Sequence, residues 1–227
     1  MFSAIILAGG AGSRMLREVP KQFLALGGKP LIMHTLDRID KIPSIGEIII
    51  VCHPQYKEHV QINISAYMLQ NSYKIIDGGE SRQESTYLGL KAASSDDVLI
   101  HEAARPFVTK KEFETILSDP GENVIYGVDI PFTVSLIKDG AIDGLLHRDA
   151  LVNVQLPQKF SRKKLLEAHE KAISDKLLFT EDASILYHYE KSQIKVLQGM
   201  QQNVKITSPV DIVTAELIYK EYISGRD

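Results

Sequence analysis

Ala4-Ile5-Ile6-Leu7-Ala8-Gly9-Gly10-Ala11-Gly12-Ser13-Arg14-Met15 sets an apolar run directly against a loop of small residues. A run this short, followed at once by glycines, predicts a β-strand over 2–8 that empties into a turn. Small residues let the backbone approach a ligand closely, and successive N–H groups can cradle phosphate oxygens. In open α/β sheets ligands sit at the carboxyl ends of the strands, which is where this loop falls. Two cations follow closely, Arg14 and then Lys21 in Pro20-Lys21-Gln22, and they suit a polyphosphate better than a neutral ligand. Two familiar phosphate loops fail on spacing. A dinucleotide fingerprint needs glycine where Met15 stands, and a Walker loop is excluded because Gly28-Lys29 runs into Pro30.

Outward from this loop the same alternation continues. Ile48-Ile49-Ile50-Val51 is apolar without a polar face, as in a strand covered on both sides in a parallel sheet. Strands are expected near 2–8, 46–52, 73–76, 97–101, 123–130 and 193–198. Helices are expected near 31–40, 55–70, 82–93, 110–118, 162–174, 181–190 and 209–224. This order predicts an α/β fold, doubly wound around a mostly parallel sheet, with all 227 residues in one domain. A net charge of -3 argues against nucleic-acid or membrane partners. Cys52 is the single cysteine, so neither an internal disulfide nor a multi-cysteine metal site can form. Met1-Phe2-Ser3 leads straight into the first strand without a basic stretch or cleavage site, and a cytoplasmic protein is expected.

One stretch departs from the alternation. Phe132, Val134 and Leu136 alternate with Thr133 and Ser135, Asp139-Gly140 is a hairpin turn signal, and Val152, Val154 and Leu156 alternate with Asn153 and Gln155. These residues predict an inserted antiparallel β-arm at about 131–157. A lone hairpin is marginal in water, so a second subunit is expected to cover it. An antiparallel extension of the main sheet is the other reading.

Local signals give further candidate groups. Ser81-x-x-Glu84 reads as a capping box beside Gly78-Gly79, and such a helix start offers N–H donors to a ligand. His101-Glu102-Ala103-Ala104-Arg105-Pro106 follows the apolar Val98-Leu99-Ile100 and therefore sits at a strand's carboxyl end. Lys205 precedes a helix expected to be capped by Ser208 and opened by Pro209, with Val210, Val213, Leu217 and Ile218 as its buried stripe.

Leu-Ala-Gly-Gly-x-Gly-x-Arg-Met followed by Pro-Lys-Gln resembles the signature of sugar-nucleotide-type nucleotidyltransferases. It is most similar to cytidylyltransferases acting on methylerythritol 4-phosphate or ribitol 5-phosphate. The resemblance continues in order through Asp77–Ser85, His101–Phe107, Gln155–Gln158, Thr180–Ala183 and Asn203–Thr207, covering residues 4 to about 212. It implies a CTP site at Ala8, Gly9, Gly10, Ala11, Gly12, Ser13, Gly79, Glu80, Ser85 and Ala103. It makes Arg14, Lys21 and Lys205 the catalytic cations, and Glu102, Arg105, Ser135 and Arg148 the acceptor groups, Arg148 reaching across a homodimer. Mg²⁺ or another divalent cation is implied, held mainly by the CTP phosphates with Glu102 as a candidate ligand.

The implied reaction joins CTP and a polyol phosphate into a CDP-polyol, releasing pyrophosphate. A phosphate monoester is already mostly ionised at neutral pH, so no general base is needed; the work is charge neutralisation. Position 102 carries Glu where the family has Asp. Val134 and Leu156 replace polar residues of the family's acceptor pocket. The change at 102 bears on ligand and metal geometry there; the altered polyol recognition and the Leu-Ala-Gly-Gly opening tilt the expected acceptor toward ribitol 5-phosphate, with methylerythritol 4-phosphate as the alternative. Uridylyl or adenylyl transfer stays open, as does a non-catalytic nucleotide-binding protein. A nicotinamide dehydrogenase is disfavoured by Met15, and a zinc hydrolase by the absence of paired histidines.

Overall fold

The structure is a computed structural model, and it describes residues 1–9 and 20–223. The chain opens with β1 (Phe2–Leu7), a small hairpin of β2 (Ala25–Leu26) and β3 (Lys29–Pro30), then α1 (Leu31–Asp40) and β4 (Ile45–Cys52). Next come α2 (Lys57–Tyr67), β5 (Tyr73–Asp77), α3 (Arg82–Ala92), β6 (Asp97–Glu102) and α4 (Lys110–Ser118). The second half holds β7 (Val124–Asp129), β8 (Ser135–Lys138), β9 (Ala141–Leu145), β10 (Val152–Ser161), α5 (Arg162–Ser174), α6 (Asp182–Glu190), β11 (Lys195–Gln198) and α7 (Pro209–Ile218). Seven strands form one sheet in the order β11-β7-β10-β6-β1-β4-β5. β10 is antiparallel to both its neighbours, while the other pairings are parallel.

The doubly wound expectation holds because successive side chains of each central strand feed opposite cores. Ala4 and Ile6 of β1, with Ile48 and Ile50 of β4, pack beneath α1, α2 and α4. Ile5 and Leu7, with Ile49 and Val51, pack beneath α3, α5 and α6. A smaller cluster of Leu26, Leu31, Phe107, Ile206 and Ala215 seats α7.

Two expectations change. The 131–157 arm divides: β8 and β9 form a separate hairpin turning at Asp139-Gly140, whereas Val152–Gln155 pairs with β7 inside the main sheet. Both readings of that stretch therefore hold, each for a different part, because Ala141–Leu145 rather than Leu151–Leu156 answers β8. The α7 stripe is the second correction. Ser208 and Pro209 start the helix as expected, with Asp211 completing the capping box. Val210, Val213 and Leu217, however, are 73%, 66% and 60% exposed, and the inward face is Ala215 with Ile212 and Ile218. Apolar residues lie almost all round this helix, so periodicity alone could not choose the buried side.

Candidate active site

The carboxyl ends of β6, β1, β4 and β5 lie side by side and open on one cavity of about 530 Å³. Backbone bonds knit its floor: Ala8 N–H donates to Val51 O (2.8 Å), Ala103 N–H to Leu7 O (3.0 Å) and Gly78 N–H to Cys52 O (2.8 Å). Ala8 and Gly9 line the cavity after β1, and Ala103 lines it after β6. The buried Gln22 side chain donates to Ala8 O at 2.9 Å and fastens the Pro20–Gln22 segment to the residue that follows β1, and Lys21 lines the cavity wall. Gly10, Ala11, Gly12, Ser13 and Arg14 lie outside the described residues.

The 78–85 turn forms the opposite wall. Ser81 caps α3, its Oγ accepting from Glu84 N–H at 3.0 Å. The returning half of the expected box is displaced by one residue, since Glu84 Oε2 accepts from Glu80 N–H at 2.8 Å. Ser85 Oγ accepts from Gly79 N–H at 3.1 Å. A side chain at Gly79 would collide with Glu84, so glycine is what lets that carboxylate fold back. Gly79, Glu80 and Ser85, which the resemblance assigns to CTP, all line the cavity.

Glu102 sits at the centre of the charges. Lys205 Nζ lies 2.8 Å from its Oε2, Arg82 Nε 3.0 Å from its Oε1, and Arg105 Nε 3.7 Å from Oε2. Burial would raise the Glu102 pKa, yet Lys205, Arg82 and Arg105 together bring it down to about 2. Lys205 is carried there by backbone ties: Ile206 N–H donates to Ala104 O at 2.9 Å, and Arg105 Nη1 to Asn203 O at 2.9 Å. Asn203 Nδ2 in turn donates to Leu156 O at 2.6 Å. The Leu156 side chain is 2% exposed and belongs to the core beneath α5 and α6. It does not face the cavity, so its replacement of a polar residue concerns packing.

Arg82, like His53 and Pro54, lines the cavity without a role assigned to it from the sequence. It is the first residue of α3, where the helix dipole disfavours a cation. That misfit was the available signal that it needs anions. Its Nη2 lies 2.8 Å from Asp182 Oδ2 and 3.6 Å from Glu181 Oε1. Burial would lower its pKa, and the surrounding Asp182, Glu181 and Glu102 raise it instead. For Arg105, burial wins over Glu102 and the pKa falls. Glu181 moves the other way from Glu102, because burial outweighs Arg82 and pushes its pKa up.

Ser135 and Arg148 do not line this cavity. Ser135 begins β8, and Arg148 is exposed beyond β9, its Nη1 3.4 Å from Pro131 O. Among the described residues no group of three His, Cys, Asp or Glu side chains could hold a metal ion. Glu102, already faced by three cations, is among the described residues the single deeply buried carboxylate on the cavity wall.

A mostly parallel sheet whose strand ends present a capped helix start, a glycine-bordered wall and converging Lys and Arg side chains defines an α/β nucleotidyltransferase. The family model for IspD, 2-C-methyl-D-erythritol 4-phosphate cytidylyltransferase, matches residues 2–221, and the chain belongs to that family. It is 36% identical to the 2-C-methyl-D-erythritol 4-phosphate cytidylyltransferase of Halalkalibacterium halodurans, over 97% of both chains. It is 38% identical to the protein of that name from Clostridium botulinum, over 96% of this chain and 97% of the other. The crystal structure of 4-diphosphocytidyl-2C-methyl-D-erythritol synthase from Anaerococcus prevotii superposes with a TM-score of 0.85 at 29% identity, covering 96% of each chain. The chain is thus a cytidylyltransferase using CTP.

Proposed function

We propose that this enzyme transfers the cytidylyl group of CTP to 2-C-methyl-D-erythritol 4-phosphate and releases pyrophosphate. The observation that carries this is the family match over residues 2–221, with relatives bearing that acceptor in their names. The tilt toward ribitol 5-phosphate gives way to its alternative. One ground for the tilt is gone, since Leu156 packs in the core.

In the proposed reaction a phosphate oxygen of the acceptor attacks the α-phosphorus of CTP, and the bond from that phosphorus to the α,β-bridging oxygen breaks, the oxygen leaving as a terminal oxygen of pyrophosphate. Gly79, Glu80 and Ser85 are assigned to the base and ribose, and the Ala8–Ser13 segment to the phosphates. Lys21, Arg14 and Lys205 offset the charge that grows on the transferred group and on pyrophosphate. A divalent cation bound to the CTP phosphates would share that charge, with Glu102 the carboxylate nearest to hand. Glu102 and Arg105 border the acceptor side.

The proposal includes a homodimer. Phe132, Leu136, Ile137, Ile142 and Leu145 are exposed on and beside the hairpin, an apolar surface that a second copy would cover. Such a dimer would deliver Ser135 and Arg148 to the acceptor side of the partner's cavity. No helix among the described residues is long and apolar enough to cross a membrane.

Pyrophosphate release measured with CTP against 2-C-methyl-D-erythritol 4-phosphate, ribitol 5-phosphate and glycerol phosphates tests the assignment. The first acceptor is expected to give the highest kcat/KM; faster turnover of ribitol 5-phosphate would overturn it.

A further inference from the structure

Two residues that touch no part of the cavity nevertheless hold its wall. Asp182 is the first residue of α6 and His169 lies in α5; both are fully buried, and neither lines the cavity. His169 Nε2 stands 3.2 Å from Asp182 Oδ1, and Asp182 Oδ2 faces Arg82 Nη2 at 2.8 Å. Arg82 then spans to Glu102 at 3.0 Å, and Glu102 to Lys205 at 2.8 Å. A continuous row of ion pairs therefore runs from Asp182 in the helical layer behind the sheet, through Arg82 and Glu102, to the lysine in the cavity. The neighbouring residue repeats the attachment. Gln83 Nε2 donates to Leu177 O at 3.1 Å and its Oε1 accepts from Phe179 N–H at 2.8 Å, fastening the start of α3 to the α5–α6 connection.

We propose that Asp182, backed by His169, is a positioning residue for cytidylyl transfer. It anchors Arg82, and through Arg82 it holds the 78–85 turn and the Glu102–Lys205 pair in one mutual arrangement. The physical need is specific. An arginine opening a helix is repelled by the helix dipole and requires a fixed anion. Glu102 alone would have to serve both Arg82 and Lys205. With Asp182 as a second anion on its far side, Arg82 is stretched between two carboxylates and cannot swing toward either the solvent or the incoming phosphates. A buried carboxylate is costly unless paired; Asp182 Oδ2 is paired with the Arg82 guanidinium, while Oδ1 stands beside His169 Nε2 without a hydrogen bond. Glu181, 3.6 Å from Arg82, is the longer-range third anion. A small displacement of a charge-stabilising group is amplified in rate, because the barrier depends on alignment.

This inference rests on the cavity being the CTP site, and the test separates the two. Full-length wild type, Asp182→Asn, Arg82→Lys and the double variant are compared by CTP titration calorimetry with Mg²⁺. Steady-state pyrophosphate release and circular dichroism are recorded alongside. Asp182→Asn is expected to lose about tenfold in kcat/KM. In the Arg82→Lys background it is expected to lose almost nothing further, since its effect passes through that arginine. A general loosening of the fold would instead multiply with Arg82→Lys, and that result, or an unchanged kcat/KM in Asp182→Asn, overturns the proposal. If Asp182→Asn does not fold, His169→Gln replaces it in the same cycle with the same two readings. Failure of the wild type to bind CTP overturns the site assignment and this inference with it.

Discussion

The cavity wall and the β8–β9 hairpin are opposite kinds of structure. The wall gathers Lys21, Arg82, Glu102 and Lys205 from four distant places in the chain, buries much of them, and pairs Glu102 with three cations in one copy of the protein. The hairpin is local, closed by a two-residue turn, and leaves Ile137, Ile142 and Leu145 each more than 70% exposed. The described charges of the wall find their partners within one chain, whereas the hairpin leaves its apolar side chains in solvent. On the proposed reading this divides the labour: each chain supplies its own CTP side, and the acceptor side is finished by the hairpin of a second copy.

The sharpest way to break the self-contained half is Lys21→Ala. Removing a charge-stabilising donor of this kind is expected to cost about 10²-fold or more in kcat; a near-normal rate in the pyrophosphate assay contradicts its role. Acid attacks the same half through its packing. His101 is wholly buried at the end of β6, and burial lowers its pKa to about 4, against the hydrogen bond to Arg105 O. Its stabilising effect is full above the unfolded value of 6.5 and is lost as pH falls from there toward 4. Denaturant titrations should therefore lose up to about 3 kcal/mol across that window. His101→Gln should flatten the slope.

The hairpin half should respond differently. Ile142→Asp with Leu145→Asp is expected to leave thermal stability within about 0.5 kcal/mol, since both residues are exposed. The same pair should shift sedimentation to the monomer and reduce turnover roughly tenfold at low protein concentration. Unchanged sedimentation would sever the hairpin from assembly. The smallest effects are expected on α7. Val213→Ser should change stability by no more than about 0.5 kcal/mol, whereas Ala215→Leu should cost about 1–3 kcal/mol by overfilling the cluster around Phe107 and Ile206. The reverse order would restore the stripe first expected from periodicity.

What could be read from the residues follows the same division. β1 and β4 were legible because short apolar runs bounded by glycine or polar residues have one reading in an α/β chain. The capping signal at Ser81-x-x-Glu84 and the helix start after Lys205 could be read locally, the roles of Gly79, Glu80, Ser85 and Lys205 only from the resemblance, and all four line one cavity. Arg82 and Asp182 are 100 residues apart, and nothing local pairs them; only the misplaced cation at the start of α3 hinted that an anion was required. The split of 131–157 was illegible for a different reason. Alternation marks a strand but not its partner, and Val152–Gln155 could answer either β7 or β8. Side choice on α7 failed because apolar residues surround it.

The most direct test mixes two inactive proteins. Lys21→Ala lacks its own CTP-side cation, and Arg148→Ala lacks the hairpin-side arginine. In a mixed dimer, the Arg148→Ala chain keeps an intact CTP side that receives the intact hairpin of the Lys21→Ala chain. Pyrophosphate release with CTP and 2-C-methyl-D-erythritol 4-phosphate should then recover to roughly a quarter of the wild-type rate once subunits exchange freely, since half the dimers are mixed and each has one whole site. A mixture no more active than its two components would contradict a cavity completed by the partner's hairpin.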